Sequence, residues 1–197
     1  MNHLSPKVKE CIHMHTRFTK GSTTHKHPLA LIGMLGLDES RHEDPAEFLF
    51  RIFAELPTVE RHFEFIRETI VANTTHNTVL HSEANMECLL VLTAQCGSIQ
   101  KGLDRLQDWR DVQHSDSNVR GFNGAQERER ITNPPQELLV QIQRGIDGVH
   151  VKDDTFTHID PRIQVVGVNY TIAAVVYQTG SLTHGHYITI FEINGQW

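Results

Sequence analysis

The C-terminal segment "YTIAAVVYQTGSLTHGHYITIFEINGQW" constrains the fold most strongly. Two apolar stretches flank a short polar loop that contains His184 and leads into Gly185 and His186, so the segment predicts two strands joined by a loop. The second stretch runs into an Asn-Gly pair, which is a strong two-residue hairpin signal. A hairpin needs a returning strand, and only two residues follow that pair in this sequence.

Other strands are predicted upstream of this segment. The stretches "HFEFIRETIV" and "ECLLVLT" have the composition of strands, the second of them buried. The polar stretch 116–135 predicts a loop or an exposed ribbon. After it, apolar stretches, the first of them alternating, predict strands at 137–143, 163–167, 170–177 and 186–193, which we expect to form an antiparallel sheet.

Two helices are predicted in the earlier half. In "EDPAEFLFRIFAEL", Asp44 is suited to cap the helix, Pro45 suits its first position, and Glu47 completes a capping-box pattern. In "SIQKGLDRLQDW", Ser98 is a candidate cap for a second amphipathic helix. Helices early and strands late predict an α+β architecture.

The composition limits the class of partner. The chain has 197 residues and a net charge of −6, with no basic patch, which argues against nucleic acid and anionic membranes as partners. No apolar run approaches the roughly 20 residues of a membrane span. Three cysteines without pair spacing indicate reduced thiols, so we expect a cytoplasmic or nuclear protein.

Several of these segments, taken in order, resemble the ubiquitin-specific proteases, a family of papain-like cysteine deubiquitinases. The ending "GHYITIFEINGQW" is similar to the family's histidine box, and "EDPAEFLFRIF" is similar to its Gln-Asp-Ala-x-Glu-Phe-Leu helix start, with Glu43 and Pro45 as departures. The segments "SIQKGLDRLQDW" and "RERITNPPQELLVQIQRG" also match, the latter keeping Arg144 of a Leu-Lys-Arg-Phe strand. The resemblance covers roughly residues 40–197.

The resemblance implies a papain-like α+β fold of the ubiquitin-specific protease type, truncated at both ends. It divides the chain into a poorly defined N-terminal segment at 1–39 and a protease-like domain at 40–197. Within that domain, a helical remnant at 40–60 precedes a fingers and palm sheet at 61–197.

The resemblance also assigns His186 to the position of the general base, although a strand-edge residue without a catalytic role is the alternative. Cysteine hydrolysis needs a thiolate beside an imidazole, and a third side chain that orients the imidazole. The family's Gly-Asn-Thr-Cys-type motif is not found upstream of Asp44, and Cys11 lacks its context. The strand that would carry the third residue is also not in this sequence. We therefore expect an incomplete or degenerate domain that is inactive as given.

Two further residues are candidates for substrate binding by resemblance. Asp44 would lie near the channel for the C-terminal tail of ubiquitin, where a carboxylate can pair with a tail arginine. Tyr187 would line the same channel. The alternatives are that Asp44 acts only as a helix cap and that Tyr187 is a half-buried strand aromatic.

We expect neither a cofactor nor a metal site. The family's fingers often hold zinc through two Cys-x-x-Cys pairs, but "VANTTHNT" and "HSDSNVRG" contain no cysteine here. Cys88 and Cys96 are more typical of buried thiols. The pairs His13/His15 and His25/His27 could chelate a transition metal, but such a segment is more often a polar tail.

Three functions remain open at this point. The chain is an incomplete deubiquitinase domain that keeps ubiquitin binding, a fragment of an active ubiquitin isopeptidase whose nucleophile lies outside it, or a scaffolding domain without ubiquitin contact. The expected partner is ubiquitin or a ubiquitinated protein. Self-association through exposed strand edges is a further expectation, since the strand at 186–193 lacks a neighbour on one side.

Overall fold

A computed structural model of the protein describes residues 44–112, 125–146, 149–181 and 184–192. By its internal contacts the chain divides into two compact units. The first consists of Met1–Glu60 with Val176–Ile188, and the second of Arg61–Val175 with Thr189–Trp197. Cys11, the four paired histidines of the N-terminal segment and the Asn-Gly pair at 194–195 lie outside the described residues.

The first unit contains the predicted capped helix. Helix α1 spans Pro45–Glu55, and the Ala46 amide donates to Asp44 Oδ1 at 2.7 Å, so the predicted cap is confirmed. The short helix α2 follows at Pro57–Glu60. The aromatic ring of Phe53 is buried and meets Phe50 edge to face, which fixes the apolar side of α1.

Glu47 is engaged differently from the prediction. Its Oε1 accepts a hydrogen bond from Arg51 Nη2 at 2.7 Å, one helical turn further along. An i, i+4 ion pair of this kind stabilises the exposed side of a helix. Asp44 therefore supplies the cap without a reciprocal bond from Glu47 among the described contacts.

The second unit is organised around a four-stranded antiparallel sheet. Its strands are β1 at Phe65–Asn73, β2 at Thr78–Glu87, β4 at Arg110–Asp111 and β5 at Ala125–Asn133. Their order is β2-β1-β5-β4, so β1 has a neighbour on each side. This central position explains why Phe65 and Val71, both in β1, are among the most deeply buried side chains.

The hydrophobic core lies between this sheet and a helix. Strand β3 spans Leu90–Thr93, a 3-10 turn Ala94–Cys96 follows, and helix α3 spans Ile99–Leu106. Strand β6 at Val140–Gln143 pairs with β3 in parallel. The core consists of buried side chains from these elements and their neighbours: Phe65, Leu90, Leu92, Cys96, Leu103, Ile131 and Val165.

Three further two-stranded ribbons are formed by the described residues. Strands β7 at Gly145–Ile146 and β8 at Val149–Lys152 form the first, and β9 at Arg162–Val165 and β10 at Val168–Thr171 form the second. Strands β11 at Ala174–Gly180 and β12 at Gly185–Phe191 form the third. A small helical part followed by antiparallel sheets confirms the predicted α+β class.

The prediction for 116–135 is wrong over its described half. Residues 125–133 form strand β5, in which Glu129 and Ile131 are buried, and strand β2 was not predicted at all. Polar composition was misleading here because β5 pairs with β1 through charged side chains. Ion pairs replace the apolar alternation that would have indicated a strand.

The predicted pairing of the later strands is also wrong. Strand β6 pairs in parallel with β3, whereas we expected the four late strands to form one antiparallel sheet. The stretch 163–167 is interrupted, because Val166 and Gly167 form the turn between β9 and β10 with φ of 49° and 80°. A positive φ at a β-branched residue is unusual, so Val166 before Gly167 did not indicate the turn as an asparagine at that position would have done.

Candidate functional site

Asp44 and Tyr187, the two predicted substrate-binding residues, are brought close together in the first unit. Asp44 is exposed at the start of α1, and Tyr187 lies on β12 with 42% of its surface exposed. Burial raises the pKa of the Tyr187 hydroxyl, and the negative charge of Asp44 adds to the rise. The carboxylate of Asp44 therefore lies within electrostatic range of the Tyr187 phenol.

The turn before β12 is held by hydrogen bonds of backbone and side-chain groups. The Ser181 amide donates to the His184 carbonyl at 2.8 Å, and the His184 amide donates to Ser181 Oγ at 3.0 Å. Gln178 Nε2 donates to the Ser181 carbonyl at 2.6 Å. These bonds fix how the chain enters β12. His184 accordingly lies in the turn, as predicted.

Glycine is required at both ends of this turn. Gly180 has φ of +94°, and a Cβ there would lie 2.5 Å from the His184 carbonyl oxygen. A Cβ on Gly185 would collide with the Thr179 carbonyl oxygen of the opposite strand. The glycine of the Gly-His-Tyr motif is thus explained by a close approach of two backbones.

His186 is exposed on β12 directly after this glycine. Its backbone carbonyl accepts a hydrogen bond from Thr179 Oγ1 at 3.4 Å. Successive residues of a strand face opposite sides, so His186 and Tyr187 project from opposite faces of β12. The catalytic assignment of His186 remains a prediction.

Cys96 has the surroundings of a structural thiol. It is 3% exposed within the core, and burial raises the pKa of its thiol. A reactive cysteine instead needs a lowered pKa and access to solvent. The expectation that Cys96 is a buried thiol is confirmed.

A charged cluster in the four-stranded sheet was missed by the sequence analysis. Glu129 accepts from Arg67 Nε at 2.7 Å and contacts Arg110 through its other oxygen. Burial alone would lower the pKa of the Arg67 guanidinium, but the hydrogen bond and charge of Glu129 outweigh it and raise the pKa. The alternating "ERER" of β5 was the available signal, since it places like charges on the same face.

The opposite face of β5 carries a second set of cations, Arg128 and Arg130. Arg130 pairs with Glu68 at 2.7 Å, and the Arg128 guanidinium lies 4.5 Å from the centroid of the Trp109 ring. Such a stacked cation stabilises both partners. Among the residues that the structure describes, no three His, Cys, Asp or Glu side chains are grouped as metal ligands.

Searches for related proteins give a result at the level of fold. No family model matches the sequence, and no curated protein matches it. Solved structures of the SAGA DUB module, which contains the ubiquitin-specific protease Ubp8, do match. The chain has a ubiquitin-specific-protease-like fold.

The figures for three of these structures are consistent with one another. The module bound to monoubiquitin matches with a TM-score of 0.69 and 18% identity over 86% of this chain and 45% of that chain. The module bound to ubiquitin aldehyde gives 0.65 and 16% over 79% and 43%, and a yeast module gives 0.62 and 18% over 78% and 43%. The chain therefore spans less than half the length of the solved chains it matches.

Within 44–112 and the other described ranges, no helix is both long and apolar enough to cross a bilayer.

Proposed function

We propose that this chain is a ubiquitin-binding domain of ubiquitin-specific-protease-like fold that does not itself cleave ubiquitin conjugates. The observation that carries the proposal is the proximity of Asp44 to Tyr187 on the first unit. The likeness to a module solved with bound monoubiquitin supports the choice of ligand.

The two roles considered for Asp44 are compatible, because a carboxylate has two oxygens. Oδ1 accepts the Ala46 amide at 2.7 Å and caps α1. Oδ2 makes no hydrogen bond with the described residues and lies on an exposed side chain. It is therefore available to an arginine of the ubiquitin tail, and a charge-assisted bond of this kind is stronger than a neutral one.

Tyr187 supplies the apolar part of the same surface. Its ring is partly buried on β12, and burial raises the pKa of its hydroxyl further above neutral pH, where a tyrosine is ordinarily protonated. A tyrosine with an apolar ring and a donor at its tip is well suited to an extended peptide. Together the two residues can hold a cationic tail against the start of α1.

The absence of cleavage follows from the chemistry that the chain lacks. General base assistance from His186 would be worth about 10²–10⁴-fold in rate. It cannot replace a thiolate nucleophile and oxyanion donors, each of the latter worth about 10²–10³-fold. Cys96 is buried in the core, and the Gly-Asn-x-Cys pattern does not occur in the sequence.

Titration of isotope-labelled ubiquitin with the full chain tests binding. Asp44→Asn keeps a capping oxygen but removes the charge, so we expect the Kd to rise roughly tenfold with little change in stability. Glu47→Gln is the matched control, because Glu47 is an exposed carboxylate of the same helical turn that pairs with Arg51. Equal affinity of Asp44→Asn and the wild type would contradict the assignment of Asp44.

Ubiquitin without its C-terminal tail provides the complementary arm. It should bind the wild type and Asp44→Asn equally weakly, because the group that contacts Asp44 is missing. A scaffolding domain would bind neither form of ubiquitin.

A ubiquitin probe with a C-terminal electrophile tests the absence of cleavage. We expect no covalent adduct by mass analysis after incubation with the full chain. An adduct that is lost in both Cys11→Ala and His186→Ala would show an active thiol enzyme and overturn this part of the proposal.

A further inference from the structure

Strand β2 is one of the two edge strands of the four-stranded sheet in the described part of the chain, the other being the two-residue β4. It is ten residues long, and eight of them are exposed. Val79 and Met86 are 62% and 69% exposed, although both are apolar. A long exposed edge strand presents backbone donors and acceptors that a further strand can pair with.

The ladder between β1 and β2 shows which part of this edge is regular. Val71 pairs with His81 and Ala72 pairs with Val79, so Leu80 is the extra residue of a β-bulge. From His81 to Glu87 the pairing is continuous. Only this run can accept a further strand without interruption, because a bulge disturbs the ladder.

We propose that a second copy of this chain adds its own β2 to this edge, antiparallel, about a twofold axis at Ala84. In antiparallel pairing, two directly opposed residues either both direct their N–H and C=O groups at the partner strand or both direct them away from it. A twofold-symmetric pair must therefore place one residue opposite the same residue of the second copy. Ala84 is the centre of the regular run. The two four-stranded sheets then form one continuous sheet.

The avoidance of directly opposed carboxylates favours this register. With the axis at Ala84, His81 lies opposite Glu87 of the second copy, and Glu83 lies opposite Asn85. With the axis at Glu83, the Glu83 carboxylates of the two copies would face each other. With the axis at Asn85, Glu83 would face Glu87 of the second copy. Like charges directly opposed destabilise a sheet.

An axis at Ser82 avoids opposed carboxylates but is disfavoured by the bulge. Most of its pairs would fall on 78–80, where the ladder of β2 is irregular. The axis at Ala84 uses the whole of the regular run from His81 to Glu87.

The side chains on both faces fit the arrangement. Asn85 Nδ2 already donates to Glu83 Oε1 at 3.2 Å within one chain, so the same pair of groups can bond across the axis. On the other face, Met86 lies opposite Ser82 of the second copy and diagonally beside Ala84. The most exposed apolar side chain of the strand is thereby covered.

Analytical ultracentrifugation of the full chain over a range of concentrations tests the dimer. We expect a monomer–dimer equilibrium, and Ala84→Glu should lower the association constant at least about tenfold, because it opposes two carboxylates at the axis. Val79→Glu is the matched control, since it places the same charge on the same strand outside the regular run, and its association should equal that of the wild type. A monomeric wild type, or a dimer that persists in Ala84→Glu, overturns the proposal.

Disulfide trapping tests the register independently of affinity. Opposed Cα atoms in an antiparallel pair lie about 4.5–5.5 Å apart, which is within the range of a disulfide. Ala84→Cys should therefore form a covalent dimer through residue 84 on oxidation, as mapped by mass analysis. Ser82→Cys lies on the same face but faces Met86, so it should not, and equal trapping of both variants overturns the register.

Discussion

Gly185 determines the geometry of the turn before β12 at the scale of one residue. Because Gly185 has no side chain, the Thr179 carbonyl of the opposite strand can approach it closely. This close approach determines where His186 and Tyr187 lie on β12. Because the obstacle is backbone, it cannot move aside as a flexible side chain would. The motif Gly-His-Tyr therefore has a steric basis in this fold that is independent of catalysis.

Gly185→Ala tests this steric requirement. We expect a loss of about 1–3 kcal/mol in the free energy of unfolding, measured by urea denaturation, because an added methyl group has no space. Gly145→Ala is the control, since a Cβ at Gly145 would meet nothing within 4 Å. Equal stability of both variants would show that the strands separate easily at this point.

Val166 is a second residue where the backbone conformation and the side chain disagree. Its φ of 49° places a β-branched residue in the left-handed region, in a two-residue turn where asparagine and glycine are favoured. We expect Val166→Asn to raise the free energy of unfolding by about 1 kcal/mol. Val168→Asn, on the adjoining strand, should give no such gain, and a destabilised Val166→Asn would contradict this explanation.

At the scale of elements, β5 is stabilised by ion pairs where an apolar contact would be usual. Glu129 is 8% exposed and lies between the guanidinium groups of Arg67 and Arg110. Removal of its charge leaves two cations without their shared partner, one of them partly buried. Breaking a buried pair in this way is far more damaging than losing a surface pair.

Glu129→Gln is therefore expected to lower the free energy of unfolding by about 2–3 kcal/mol, after allowance for partial exposure. Glu127→Gln is the matched control on the same face of the same strand. Among the described residues Glu127 pairs with Arg110 alone, and it is more exposed than Glu129, so about 0–1 kcal/mol is expected. Chemical denaturation of both variants measures the two losses in the free energy of unfolding. Equal losses for Glu129→Gln and Glu127→Gln would show that the buried position of Glu129 is unimportant.

At the scale of the whole molecule, several carboxylates make stability depend on pH. Hydrogen bonds from Arg130 and Ser82 lower the pKa of Glu68, and bonds from Thr155 lower the pKa of Asp153. Burial alone would raise the pKa of Asp160, but its bond from the Gln100 amide and other contacts outweigh this and lower the pKa. All three groups are thus more acidic in the folded chain.

A group with a lowered pKa stabilises the folded state above its unfolded pKa, and this contribution is lost as pH falls through the folded pKa. We therefore expect the free energy of unfolding to decrease as pH falls below about 4, near the ordinary pKa of these side chains. Asp160→Asn should make the decrease shallower, whereas Asp108→Asn, an exposed control after α3, should leave it unchanged. A pH profile of Asp160→Asn that is identical to the wild type would contradict this account.

The sequence by itself determined the features that depend on neighbours in the chain. The cap of α1 by Asp44, the start of α3 at Ser98 and the approximate position of β12 each depend on a few adjacent residues, and each is confirmed. The order of these segments was sufficient to predict a ubiquitin-specific-protease-like fold. The catalytic assignment of His186 goes beyond what the fold shows and remains a prediction.

Only the tertiary structure decided which distant segments meet. The parallel pairing of β3 with β6, the burial of Glu129 in β5 and the bulge at Leu80 depend on partners far away along the chain. The proximity of Asp44 to Tyr187 likewise joins the start of α1 to a strand near the other end of the sequence. Local composition cannot encode such pairings, because a charged strand resembles a loop until its partner strand supplies the opposite charges.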